Sequence, residues 1–135
     1  MMKVIISLFI IVSALFGASS ESKILKLIFD SLYENRSFSI YTDDEQKAET
    51  LKEASIKISS NCHDADIVYA SEFSDKCAEK PLFTDNYKTF KNSENSIGAF
   101  YWSKGRPNIL FLKYRLERHG LRLSEELEKY EMDAL

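Results

Sequence analysis

The chain has 135 residues, with nine Phe, seven Tyr and one Trp, and a formal net charge of −3 at pH 7. This aromatic content excludes an intrinsically disordered chain. The slightly acidic balance argues against general binding to nucleic acid, which requires a basic surface.

The first twenty residues have the pattern of a cleavable secretory signal. Lys3 provides a positive start, an uncharged stretch follows over 4–17, and Ala18-Ser19-Ser20 offers small residues for cleavage. The apolar stretch is shorter than the roughly 20 residues that a membrane-spanning helix needs, although an uncleaved N-terminal anchor is the alternative. We expect 1–20 to be a signal peptide, 21–135 to be a single domain without a transmembrane segment, and the protein to be periplasmic.

Two cysteines, Cys62 and Cys77, lie beyond this segment. An even number of cysteines in an exported protein suggests a disulfide. Closing the intervening loop would stabilise the fold by roughly 3 kcal/mol. A strand between the two residues carries the chain about 15–20 Å away. The Cys62–Cys77 bond therefore requires that the chain return over that distance.

The first half of the domain predicts helices and strands in alternation. Apolar residues recur at helical spacing over 22–34, and polar and apolar residues alternate over 37–41 as in a strand. A helix over 45–54 and a short strand at 56–58 follow. The uninterrupted apolar run 67–70 is typical of a central strand that is buried on both faces.

The second half predicts a hairpin. It begins with a short helix or turn at 72–79, a strand at 81–84 and one helical turn at 87–91. Two β-rich runs then flank a short turn that contains Gly105. A helix that ends at Gly120 and a last helix that is capped by Ser124 complete the chain. This order favours an α/β fold, a single small domain with a mixed, mostly parallel sheet, a C-terminal antiparallel hairpin and flanking helices.

Four segments resemble, in this order, the YfiR-like family of small periplasmic proteins. They are a Cys before the middle strand in 62–69, a strand over 81–85, a Gly-led hairpin over 97–112, and a helix, a Gly and a Leu-rich stretch over 114–123. The resemblance implies a mixed α/β fold, export and a regulatory binding role. In that family a periplasmic protein restrains a membrane-bound diguanylate cyclase. We therefore expect, as partner, the periplasmic domain of a membrane-bound diguanylate cyclase or sensor kinase, and we expect the protein itself to be a monomer or a homodimer.

No pattern of catalytic chemistry is visible. His63 and His119 are the only histidines, and neither lies in a nucleophile motif. Donor atoms are concentrated around Cys62, His63 and Asp64, but the spacing of a zinc site is absent. The few glycines do not form a phosphate loop. We expect a protein that binds rather than catalyses, with no metal and no cofactor.

The hairpin and the helix after it carry the candidate binding residues, Trp102, Lys104, Arg106, Arg115 and Arg118. An aromatic residue beside cations suits a protein partner, a carboxylate or a phosphate. The alternative is ordinary core packing of Trp102 with solvated charges at the turn. The functional hypotheses are docking on the sensor domain of an inner-membrane signalling protein, or a small module that binds anionic ligands and resembles half of a periplasmic solute receptor.

Overall fold

The computed structural model describes residues 20–34 and 36–135. Apart from Ser20, the segment predicted to be a signal peptide lies outside the described residues. Within the described part of the chain, no helix combines the length and the apolar character needed to cross a membrane.

The described residues form one sheet with helices packed on both of its faces. Helix α1 covers residues 20–33. The elements that follow are β1 (Ile40–Tyr41), α2 (Glu45–Glu53), β2 (Ile67–Tyr69), β3 (Leu82–Thr84), α3 (Tyr87–Asn92), β4 (Ser96–Ser103), β5 (Arg106–Leu112), α4 (Lys113–Arg118) and β6 (Glu131–Met132). Two 3-10 helices lie at Asp75–Cys77 and Glu125–Tyr130.

The sheet has six strands in the order β1-β2-β3-β4-β5-β6. Strands β4 and β5 are antiparallel, and every other neighbouring pair is parallel. The predicted α/β fold with a mixed, mostly parallel sheet and an antiparallel hairpin is confirmed.

Two local predictions were wrong. The strand expected at 56–58 is reduced to a single bridge between Ile40 and Ile58. The last helix has Ser124 at its N-cap position as expected, but it is a 3-10 helix without a side-chain cap bond, and it leads into β6, which pairs with β5. The pairing with β5 draws the chain end into an extended conformation that local propensity does not indicate.

The main core lies between α1 and one face of the sheet. Leu25, Ile28 and Phe29 of α1 are fully buried. The Phe29 ring contacts Phe83 of β3 edge-on, with 5.3 Å between centroids, and also meets Tyr69 of β2. The predicted amphipathic helix therefore packs across neighbouring strands in the middle of the sheet.

The opposite face of the sheet is covered by α3 and by a disulfide. Phe90 of α3 packs with Ala99, and the Cys62–Cys77 disulfide packs with Val68 of β2. Because successive strand residues point to opposite faces, β2 is buried on both sides, as predicted. The predicted disulfide is confirmed, and the 3-10 helix Asp75–Cys77 belongs to the returning chain.

Candidate functional site

The end of the β4–β5 hairpin is a two-residue turn at Lys104 and Gly105. Both residues have positive φ, 52° and 75°. Such turns match the right-handed twist of the flanking strands, and glycine adopts this conformation without strain. The turn therefore holds the residues on either side of it in a defined geometry.

Trp102 lies three residues from this glycine and is 48% exposed. It is paired across the hairpin with Pro107. Phe100, two residues earlier on the same face, is buried, and its ring centroid is 5.9 Å from that of Trp102. The apolar face of β4 thus continues outward past the covered core.

Two cations flank the exposed indole. Lys104 and Arg106 are both exposed, and neither belongs to an ion pair within residues 20–34 and 36–135. We call the group Trp102, Lys104, Arg106 and Pro107 the hairpin tip. It presents an apolar surface together with positive charge that the described fold does not neutralise.

Arg115 does not belong to this surface. Only 2% of the residue is exposed. Its guanidinium donates to the backbone carbonyls of Phe90, Lys91 and Ser96. The donors of Arg115 hold the end of α3 to the start of β4, so the structure places Arg115 apart from the other predicted binding residues.

Arg118 is exposed but remote from the hairpin tip. It pairs with Glu94 at 3.3 Å and lies over the ring of Tyr114. Helix α4 begins where β5 ends, whereas the turn precedes β5, so about 20 Å of strand separates the two regions. The five predicted binding residues therefore do not converge on one site.

The carboxyl ends of β1, β2 and β3 carry a second polar cluster. Lys47 of α2 pairs with Asp85 at 2.8 Å and with Asp44 at 3.6 Å. Ser71 donates to the other oxygen of Asp85 at 2.7 Å. Asp44 caps α2 by accepting from two backbone N–H groups, and the bond from Lys47 N–H contributes most to lowering the pKa of this carboxyl. Ligands of α/β sheets commonly bind at this edge, which here carries more carboxylates than cations.

A cleft of about 610 Å³ opens beside this cluster, next to the Cys62–Cys77 disulfide. Phe73, 40% exposed, lines it, and so do side chains from the ends of β1 and β2. The sequence reasoning missed this cleft. The available signal was Phe73 itself, a large apolar residue between Glu72 and Ser74 in a polar loop.

The histidines and acidic residues do not assemble a metal centre in the described residues, where no group of three or more metal-binding side chains is close enough to hold an ion. His63 is exposed. Burial lowers the pKa of His119, and neighbouring Arg118 lowers it further, which favours the neutral imidazole. Its buried Nε2 has no hydrogen-bond partner in the described part of the chain.

The chain matches no protein-family model and no curated protein. Among solved structures it is similar to a conserved domain protein from Vibrio cholerae O1 biovar El Tor strain N16961, with a TM-score of 0.56 and 11% identity. The match covers 83% of this chain and 59% of that one, so this chain spans less than two thirds of that protein. At this identity the likeness supports the α/β fold alone.

Proposed function

We propose that this protein is an exported, YfiR-like regulatory protein whose hairpin tip docks on the periplasmic domain of a membrane-bound signalling protein. The observation that carries the proposal is Trp102, nearly half exposed at the end of a rigid hairpin and flanked by two cations that lack ion-pair partners in the described residues.

The composition of the hairpin tip suits a protein partner. Trp and Arg are enriched among the residues that contribute most to binding free energy at interfaces. Because the turn and the strand pairing already fix Trp102, docking costs little conformational entropy. Lys104 and Arg106 favour a partner with an acidic surface and increase the rate of encounter with it.

The disulfide supports action outside the cytoplasm. Structural disulfides form and persist in oxidising compartments, of which the bacterial periplasm is one. Cys62 and Cys77 are both buried and packed against β2, so the bond is part of the fold. This is compatible with the proposed signal peptide and with a partner whose sensor domain faces the periplasm.

The geometry favours docking over capture of a small anion. A pocket that binds an anion through its side chains needs cations or donors that converge on one point. Arg115 is engaged inside the fold, and Arg118 lies at the far end of the hairpin from Lys104. The edge of the sheet where ligands commonly bind is acidic. These observations leave the hairpin tip as a surface contact.

Charge reversal tests the proposal. The Lys104→Glu/Arg106→Glu variant is compared with Lys52→Glu/Lys57→Glu, which reverses two exposed charges, one on α2 and one in the segment that bonds to β1. Each protein is immobilised and incubated with detergent-solubilised membranes of the source organism, and bound membrane proteins are identified by mass spectrometry. Urea unfolding verifies that both variants are folded.

We expect the wild type and the Lys52→Glu/Lys57→Glu variant to retain a diguanylate cyclase, sensor kinase or similar membrane signalling protein. We expect the hairpin variant to retain at least tenfold less of this membrane protein, because repulsion replaces attraction at the interface. Equal retention by all three proteins, or no membrane signalling protein retained by the wild type, would contradict the proposal.

A further inference from the structure

The cleft beside the disulfide has the size and position of a small-molecule site. Its volume, about 610 Å³, falls within the range of roughly 300–1,000 Å³ that is usual for such sites. Val68 of β2 and Ala70, which directly follows β2, line the cleft, and so do the segments that carry Cys62 and Cys77. The disulfide joins these two segments and so fixes the width of the cleft.

The apolar part of the lining is aromatic. Tyr41, at the end of β1, is partly buried and packs against the cluster that contains the disulfide. Phe73 is 40% exposed and faces the same cleft. Phe73 also lines a smaller cavity beside Ala78 and 92–95, so its ring lies between the two. The two rings can pack against the flat or branched apolar body of a ligand.

The charged residues around the cleft favour a ligand of one charge. Asp43 and Glu72 line it, and neither belongs to an ion pair within the described residues. Lys76 is the one cation of the lining in the described structure. In the polar cluster beside the cleft, Asp44 and Asp85 both form salt bridges with Lys47. Carboxylates thus outnumber cations both in the lining of the cleft and in the neighbouring polar cluster, which favours a positively charged ligand over an anionic one.

Two amide side chains of the lining, Asn61 and Asn86, already have hydrogen-bond partners. Asn61 donates to the Asp64 carboxylate and accepts from the Asp64 N–H. The side-chain oxygen of Asn86 accepts from the Thr89 N–H at the start of α3. Asp43 and Glu72 are the carboxylates of the lining in the described residues, and so they are the groups able to form an ion pair with a cation.

We propose that this cleft binds a small primary amine with an aromatic or branched apolar body. The ammonium group lies beside the carboxylates of Asp43 and Glu72, and the body packs on Tyr41 and Phe73. The site is independent of the hairpin tip.

The test uses ¹⁵N-labelled protein and NMR titration with three amines, tyramine, phenethylamine and isoamylamine, and with the carboxylate counterpart of tyramine, 3-(4-hydroxyphenyl)propionate. For ligands of this size we expect dissociation constants in the millimolar range. At least one amine should give saturable shifts confined to residues 41–43, 61–63 and 70–77, and the carboxylate should give none.

Variants separate the cleft from other surfaces. Phe73→Ala and Glu72→Gln should each weaken amine binding at least threefold. Tyr114→Ala removes an aromatic ring of similar exposure, 41%, on α4, and Glu126→Gln neutralises an exposed carboxylate of the C-terminal 3-10 helix; both should leave binding unchanged. No saturable shift with any of the three amines, equal binding of the carboxylate, or shifts centred outside the cleft would each overturn the proposal.

Discussion

Arg115 donates a hydrogen bond from its guanidinium to the backbone carbonyl of Ser96 over 3.0 Å, although the residue is almost completely buried. The same guanidinium donates to two carbonyls at the end of α3 and lies 5.5 Å from the centroid of the Phe90 ring. A buried cation is tolerated when its donors are satisfied in this way. Arg115 is therefore a structural link between α3 and β4.

Arg115→Ala should lower the free energy of unfolding by about 3 kcal/mol, because it leaves buried carbonyls without their donor. Arg118→Ala is the control, since Arg118 makes an exposed pair with Glu94 that is worth less than about 1 kcal/mol. Urea unfolding of both variants measures the difference. Equal effects would show that Arg115 is not the link described above.

Reducing the Cys62–Cys77 disulfide should lower the free energy of unfolding by about 3 kcal/mol, because the bond closes a loop with a sequence separation of 15. Urea unfolding with and without reductant gives this value. The Cys62→Ser/Cys77→Ser variant should match the reduced wild type and should not respond to reductant. A wild type that does not respond to reductant would contradict the expectation.

Gly98→Ala should destabilise the protein by about 1–3 kcal/mol. A Cβ at position 98 would lie 2.5 Å from Cδ1 of Phe111 and 2.8 Å from the backbone oxygen of Leu110. Gly105→Ala is the matched control, since a Cβ there meets open space and the cost is limited to the strain of positive φ, about 1 kcal/mol. Thermal and urea unfolding compare the two variants. A larger effect at Gly105 would contradict the close contact between β4 and β5.

Tyr33→Phe should leave stability at pH 7 unchanged or slightly higher. The Tyr33 hydroxyl is buried and has no hydrogen-bond partner in the described residues. Removing such a group while keeping the ring, which stacks on Phe38, costs little. Urea unfolding at pH 7 checks this, and a loss above about 1 kcal/mol would indicate a partner for the hydroxyl.

The same variant should be less sensitive to alkaline pH. Burial raises the pKa of Tyr33 far above its ordinary value, and the charge of Asp66 raises it further. Since the folded pKa is raised, the unfolded chain loses this proton first, and stability falls as pH rises above about 10. Urea unfolding at pH 8 and above pH 10 should therefore show a smaller loss for Tyr33→Phe than for the wild type, with Tyr69, whose pKa is also raised by burial, contributing to both. Equal losses would contradict this assignment.

Local patterns predicted the elements whose formation depends on neighbouring residues. The hairpin follows from two β-rich runs around Gly105, and the central strand β2 follows from its uninterrupted apolar composition. The disulfide was predictable from the number of cysteines and the apparent leader. For the hairpin and β2 the deciding information lies within a short stretch of sequence, whereas the disulfide prediction draws on the composition of the whole chain.

The remainder depends on contacts between distant residues. Arg115 resembled a surface cation because its partners, Phe90 and Ser96, lie 25 and 19 residues away. Strand β6 forms only because β5 offers an edge for pairing. The cleft could not be predicted because it is assembled from the ends of separate strands and closed by the disulfide. A sequence pattern alone does not contain these juxtapositions.

Site-specific photo-crosslinking tests the central claim, docking through the hairpin tip, most directly. A benzophenone amino acid is placed at Ser103, between Trp102 and Lys104, and in a second protein at Glu126, which is exposed on the C-terminal 3-10 helix. Both proteins are produced in the source organism and irradiated in intact cells. We predict that a membrane signalling protein is crosslinked from position 103 and not from position 126. The same products from both positions, or no membrane protein from position 103, would contradict the account.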